Sequence, residues 1–290
     1  MMKKIQKVIG VDLGGTKVLA GTVDGDQLIE TRLQLVPKGG SVESVMDALY
    51  SVIDPIFDES ISGIGIGVPS VVDVEKGVVY DVQNIPSWER VSLGDLLKKR
   101  YGVSVNINND ANCFALGEKF FGRGKSFTDF IGLIIGTGLA AGIVIDNKLY
   151  NGHNCGAGEF GMLPYLEHNY EYYCSGQFFQ NEYGISAKET TEKALTGDTV
   201  SLEALADFGR HLGNAIVAIL YALDPPLIIL GGSVTKAHSF FQQSLWEQIR
   251  KIAYRSIPDN LTILCSNQPD IAVLGAAALC FQTSLESMQT

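Results

Sequence analysis

Near the start of the chain, apolar residues recur in short runs broken by glycine and charge. The runs read as three strands across residues 5–36, IQKVIGVDL, KVLAGTVD and QLIETRLQLV, the last two joined through Gly25 and Asp26. From Ser41 the spacing changes: Val42, Val45, Met46, Leu49, Val52 and Ile53 fall on one face, which predicts an amphipathic helix. The apolar run ISGIGIGV, closed by Pro69, predicts a buried strand. A loop containing NIPSW follows, then a helix over SLGDLLKKR opened by a serine cap, and a strand VSVNI. Strands separated by helices predict an α/β layered domain.

The pattern then repeats. Laid without gaps, VIGVDLGGTKVLAGTVD (8–24) runs parallel to FIGLIIGTGLAAGIVID (130–146). Ile9 falls on Ile131, Gly10 on Gly132, Gly14 on Gly136 and Asp24 on Asp146. Each copy is an apolar strand, a glycine turn, a second apolar strand and an aspartate, so the chain reads as two related lobes facing a shared cleft. Residues 147–164 look like loop and lead into the aromatic stretch EYYCSGQFFQNEYG. Three helical segments follow, the longest about 201–223 and ended by Asp224-Pro225-Pro226. The strand LIIL runs into Gly231-Gly232-Ser233, and the last helix, IAVLGAAALCF, is apolar on most sides, as a helix sandwiched between layers would be.

Bulk properties narrow the function classes. A chain of 290 residues with 46% hydrophobic and 19% charged positions has the composition of a globular protein with a sizeable core. A net charge of -10 argues against general nucleic-acid binding. The five cysteines form no C-x-x-C pair; Cys113 and Cys280 sit in helix-like apolar surroundings and read as small core residues. MMKKIQK lacks a signal-peptide hydrophobic region and no apolar run is long enough to span a bilayer, so the expected location is cytoplasmic, with no membrane partner.

Candidate chemistry gathers at three glycine turns placed after strands: Gly14-Gly15-Thr16, Gly136-Thr137-Gly138 and Gly231-Gly232-Ser233. Glycine lets backbone N–H groups come close to an anion, and three such turns, two of them on matching repeats, point to a nucleotide. Neither G-x-x-x-x-G-K-[ST] nor G-x-G-x-x-G occurs at the first turn, so any phosphate there is held by another arrangement. Asp12 precedes that turn, where a carboxylate would repel a triphosphate unless a divalent cation stood between them; a buried aspartate capping the turn is the structural alternative. Asp110, in NNDANCFALGE, ends one strand and opens a helix, so it is a candidate general base, an N-cap for Ala111, or both.

In order along the chain, VDLGGTK, GIGVPS, NIPSW, NINNDANCFALGE, GTGLAAGI, NGHNCGAGEFG and DPPLIILGG make the sequence resemble the ROK family of sugar kinases and sugar-responsive repressors. The resemblance implies a two-lobed actin-like ATPase (ribonuclease H-like) α/β fold, with duplicated lobes around a central cleft. Residues 1–113 would form the N-terminal lobe and 114–290 the C-terminal lobe, with the last helix, about 271–286, packing back on the first. Gly14, Gly15, Thr16 and Lys17, with Gly136, Thr137 and Gly138, would hold the phosphates of ATP, and Gly231 and Gly232 would border the adenosine. Asp12 would position Mg²⁺ through water and Asp110 would be the general base. Asn84, Asn109 and Glu159 would contact the sugar. A homodimer is also implied.

The sequence departs from the family in one region. A histidine usually follows GEFG, and a C-x-C-G-x-x-G-C-x-E run then binds structural zinc. Here Met162 stands at the histidine position, Cys174 is alone, and Phe179 or Gln180 falls near the place of the final glutamate. Zinc is therefore expected to be absent, with packing by Tyr172, Tyr173, Phe178 and Phe179 in its place and a more apolar corner to the sugar pocket. His153, Cys155, His168 and Cys174 are a rival Cys₂His₂ set with an unusual H-x-C opening. Three functions compete. The leading one is an ATP- and Mg²⁺-dependent hexose kinase of glucokinase or N-acylhexosamine type. The others are a sugar-responsive repressor, for which the early first strand leaves no room for an N-terminal helix-turn-helix domain, and a weakly catalytic sugar- or nucleotide-binding relative.

Overall fold

The structure, a computed structural model, describes residues 7–82 and 85–286. β1 (Val8–Leu13), β2 (Lys17–Asp24) and β3 (Gln27–Leu35) form the expected antiparallel meander, turning at Gly25, whose φ of 63° suits glycine. α1 (Val42–Ile53) buries Val45, Met46, Leu49, Val52 and Ile53, and Ser41 caps it by accepting the Ser44 N–H at 3.3 Å. β4 (Gly63–Val68) is buried throughout and runs parallel to β1. Residues 85–88 of the NIPSW region fall between β6 (Val78–Tyr80) and β7 (Arg90–Val91), which form a small sheet with β5 (Val71–Asp73). α2 (Leu93–Tyr101) begins after Ser92 as expected, but the serine side chain makes no capping hydrogen bond; Gly102, at φ 70°, ends the helix in the left-handed region. β8 (Ser104–Asn109) then pairs in parallel with β4 and leads into α3 (Asp110–Phe120).

The second strand–turn–strand is β9 (Phe130–Ile135) and β10 (Leu139–Ile145). Residues 147–164, expected to be loop, include the two-residue strand β11 (Lys148–Leu149), and β12 (Pro164–Tyr165) pairs with β13 (His168–Asn169). Strands this short carry no readable alternation. α4 (Tyr170–Cys174), α5 (Gln177–Tyr183), α6 (Ala187–Leu195) and the long α7 (Thr199–Leu223) follow. α7 stops at Asp224, left-handed at φ 46°, just before the two prolines. The chain ends with β14 (Leu227–Gly231), α8 (His238–Ile249), α9 (Ser256–Asn260), β15 (Thr262–Cys265) and α10 (Ile271–Glu286).

Strand order supports duplication beyond the sequence match. One sheet is ordered β3-β2-β1-β4-β8, the other β11-β10-β9-β14-β15, and in both the last two strands join in parallel. The architecture is that of the actin-like ATPase fold.

Two compact units are present. One comprises the described parts of Met1–Thr128, Val144–Ala157 and Asn267–Thr290; the other is Asp129–Ile143 with Gly158–Ser266. This division does not fall at 113/114, because α3 runs unbroken through that point. In the first unit α10 fits between the sheet and α3 at glycine positions. A Cβ on Gly10 would lie 2.0 Å from the Val273 carbonyl oxygen, and one on Gly65 would lie 1.8 Å from that of Ala276. A Cβ on Gly275 would meet the Cys113 carbonyl oxygen at 1.8 Å. Helix backbone rests directly on strand backbone. Cys113 and Cys280 are buried in this unit, as their apolar surroundings predicted.

Candidate functional site

In the first unit, register assembles the candidate residues. Asp12 pairs laterally with Gly67 across β1 and β4, and Gly67 pairs with Asn108 across β4 and β8. Asp12, Gly67 and Asn108 thus form one row at the carboxyl ends of three parallel strands, where α/β sheets carry their ligand sites. Two strand spacings separate the ends of the row, about 9.6 Å. Gly67 keeps its middle low: a Cβ there would crowd Cys113 Sγ at 3.1 Å.

Asp12 is part-buried, and burial raises its carboxyl above the ordinary 3.8 while the charge of Lys17 pulls it down. No group among the described residues donates a hydrogen bond to it. A carboxylate with its lone pairs unspent suits a hydrated Mg²⁺ brought in on a triphosphate. The adjoining turn closes through the Gly14 N–H, which donates to the Lys17 carbonyl at 2.9 Å, while the Thr16 carbonyl accepts the Val36 N–H at 3.0 Å. Thr16 and Lys17 are exposed, and Gly15 is part-exposed.

The cap of α3 is Asn109 rather than Asp110. Asn109 Oδ1 accepts the Ala111 N–H at 2.8 Å, and its Nδ2 donates to the Ser70 carbonyl at 3.2 Å. Asp110, first in the helix, also accepts the Ala111 N–H through Oδ1 at 2.8 Å and stays part-exposed, since a helix already capped by its neighbour leaves this carboxylate at the surface. Asn84 lies outside the described residues.

In the second unit the turn at 136–138 has every carbonyl occupied. Gly136 O accepts the Gly176 N–H at 2.7 Å, Thr137 O accepts from Gln177 Nε2 at 2.7 Å, and Gly138 O accepts the Gly136 N–H at 3.0 Å. The Gly136 N–H is thus also spent within the turn. A Cβ added at Gly136 would have no atom within 4 Å, so space remains beside it. Gly231 ends β14, paired with Ile134 of β9; Gly232, at φ 91°, would drive a Cβ to 2.2 Å from the Ile135 carbonyl oxygen. Only glycine fits there.

Glu159 is exposed on its own unit, yet the protein packed around its carboxyl, and then the charge of Glu171, push it above its usual range. Glu171 is the residue that sequence reasoning missed. Its Oε2 accepts the Leu139 N–H at 3.1 Å and would meet a Cβ on Gly138 at 2.4 Å, so it stands directly on the turn. α4 carries it there, three residues before Cys174. A cavity of about 340 Å³ opens beside it, lined by His168, Asn169, Glu171, Tyr172 and Gln177. Met162 is 47% exposed.

Among the described residues no three His, Cys, Asp or Glu side chains gather as metal ligands would. In the rival set, Cys155 bonds to Asn108, His168 stacks on Tyr172 at 3.9 Å, and the buried Cys174 thiol is pushed well up by desolvation. The expected aromatic cluster forms around His211: Tyr173 lies 4.9 Å and Phe178 5.4 Å from its ring, and Tyr165 OH meets its Nδ1 at 3.1 Å. Tyr172 packs on Tyr173 at 4.7 Å, and Phe179 lies between Phe178 and Phe208 at 5.3 and 5.2 Å.

Residues 8–283 match the model of the ROK family. The chain is 28% identical to a glucokinase of Thermotoga maritima, over 94% of this chain and 96% of that one. A ROK family glucokinase from Streptomyces griseus, solved in complex with glucose and AMPPNP, superposes with a TM-score of 0.81 at 28% identity, covering 94% of this chain and 98% of that one. A xylose repressor of Caldicellulosiruptor bescii is 26% identical over 98% of this chain and 80% of its own length.

Proposed function

The chain belongs to the ROK family, and within it we propose an ATP-dependent sugar kinase that moves the terminal phosphoryl group of ATP to a hexose hydroxyl, of glucokinase or N-acylhexosamine kinase type. The observation that carries this reading is the row of Asp12, Gly67 and Asn108, with Asp110 immediately beyond it. One carboxylate with unspent lone pairs suits a metal-bound phosphate, and a second, part-exposed one suits a proton acceptor.

A sugar alcohol attacks phosphorus poorly while it keeps its proton. Asp110 accepts that proton as the new O–P bond forms, and the bond from the γ-phosphorus to its bridging oxygen breaks, so that ADP leaves with the electron pair. Asn109 is held by Ser70 and α3, and therefore offers a fixed amide beside the base. Glu159, with its raised carboxyl, accepts from or donates to sugar hydroxyls. The two glycine turns hold phosphate oxygens by backbone N–H groups, and Gly232 keeps a side chain away from the nucleoside. Mg²⁺, held through Asp12, would supply charge neutralisation between the phosphates.

ADP release over a panel of hexoses and N-acylhexosamines tests this reading. Asp110→Asn should lower kcat by roughly 10² to 10⁴ with little change in KM for ATP. No turnover on any sugar, or undiminished turnover in Asp110→Asn, overturns it. The xylose repressor relative favours a sugar-responsive regulator as the second reading; sugar binding by calorimetry without ADP release would select that, or a weakly catalytic relative. A cytoplasmic homodimer without structural zinc completes the proposal, to be checked by light scattering and elemental analysis.

A further inference from the structure

The side chains behind Asp110 form a buried polar knot that the phosphoryl-transfer reading does not use. Asn108 Oδ1 accepts three donors: the Asn109 N–H at 2.8 Å, Asn112 Nδ2 at 2.8 Å and the Cys155 thiol at 3.1 Å. Asn108 Nδ2 donates to Asn151 Oδ1 at 3.0 Å, and Asn112 Nδ2 reaches the same oxygen at 3.3 Å and Cys155 Sγ at 3.7 Å. Asn108, Asn112 and Cys155 are all more than nine-tenths buried. An amide oxygen has two lone pairs, so three donors converge on it only when surrounding structure holds them there.

What the knot fixes is the peptide leading into the proposed base. Asn108 Oδ1 grips the Asn109 N–H; Asn109 caps α3 through Ala111, and Asp110 shares that same N–H. A rotation of the Asn108 side chain would pass to Asp110 within two residues. Asn151 and Cys155 come from a segment more than forty positions away, closed on itself by the Ala157 N–H donating to the Asn151 carbonyl at 3.2 Å. Cys155 sits there at φ 57°, a left-handed conformation disfavoured for cysteine and natural for glycine. A side chain kept where glycine would be easier points to a use for its thiol. The chain passes into the second unit at Gly158, and Glu159 is next.

We propose that Asn151 and Cys155 are positioning residues. Through Asn108 they set the orientation of Asp110. This rests on the reading of Asp110 as the base, and it adds a cause for that base's alignment. The thiol acts as a hydrogen-bond donor; no covalent or redox step is involved.

Three variants separate this from a packing role. Cys155→Gly relieves the left-handed backbone and removes the donor, so its Tm should stay at or above that of the wild type while kcat falls by about 10- to 100-fold. KM for ATP should hold. Cys155→Ala should lose the same rate, and Cys155→Ser, which restores a donor, should recover most of it. Hydrogen exchange gives an arm independent of turnover: the amides of 109–112 should exchange faster in Cys155→Gly, with the second unit unchanged. Wild-type kcat in the Gly and Ala variants, a Ser variant no better than Ala, or unchanged exchange at 109–112 overturns the proposal. If the wild-type protein phosphorylates no sugar, the kinase reading fails by itself, and the exchange arm still decides whether the knot orients this peptide.

Discussion

The two glycine turns sit on sheets of the same strand order, yet they handle charge in opposite ways. In the first, the carboxylate lies within the strand: Asp12 precedes the turn and Lys17 follows it. At the matching places the second has Ile134 and Leu139, both apolar. Its carboxylate arrives from elsewhere, as Glu171 of α4 takes the Leu139 N–H, at the position that answers to Lys17. The same strand–turn–strand scaffold occurs twice, and the residues at its turn separate a copy with a carboxylate in its own strand from a copy whose carbonyls are all tied back. Equivalent backbone does not imply equivalent chemistry.

The largest effect expected sharpens the contrast between glycines that hold the fold and glycines that serve the site. Gly65→Ala should cost more than about 4 kcal/mol, because its Cβ would enter the Ala276 carbonyl of a helix that cannot move away from β4. Chemical denaturation of the first unit measures it. Gly136→Ala, with open space around its Cβ, should leave Tm unchanged and weaken ATP binding. If Gly136→Ala destabilises the protein and leaves ATP affinity intact, the division between the two kinds of glycine is wrong.

Asp12→Asn comes next. It should lower turnover by about 10²-fold or more, through loss of metal-assisted charge neutralisation. It should also raise the Tm of the ligand-free protein at neutral pH, since ionising a carboxyl whose folded value is raised costs stability. The sign follows from that direction. The penalty is absent at pH values below the ordinary 3.8 and is fully present once pH exceeds the raised folded value, so the gap between variant and wild type should open as pH rises through that window. A gap that closes instead would show that Asp12 is satisfied within the fold.

Smaller effects follow. Tyr173→Ala should lower Tm by a few degrees, an aromatic pair being worth about 0.5–1.5 kcal/mol beyond its buried area; zinc at one equivalent per chain would sink the view that this cluster replaces a metal. Smallest of all is Asp58, held down to about 2 by Ser60 and Lys7. Its contribution is present above the ordinary 3.8 and is lost as pH falls toward about 2, so wild type and Asp58→Asn should converge in Tm over that interval.

Much of the fold was legible because its signals are local. Alternation gave the meander, period spacing gave α1, and the prolines after Asp224 gave the end of α7. Ser92 shows the limit of such reasoning: the residue type suits a cap, but its side chain does not make the bond. At the site, residues next to glycine turns could be picked out, since the turn itself is a signal. Glu171 could not, because it reaches the turn at 136–138 only through the placement of α4. The bonds from Asn151 and Cys155 to Asn108 were equally hidden, being made across more than forty residues by side chains that carry no pattern.

The seating of α10 on Gly10 and Gly65 has a consequence for synthesis. The first sheet is complete in sequence by Asn109, but the helix that covers its glycine face comes only after the whole of Gly158–Ser266. While a ribosome is still translating Gly158–Ser266, that face stays wet and its strands lack their lid. Chains truncated before residue 271 should therefore leave β1 and β4 open to protease, and extension through Ile271–Glu286 should close them.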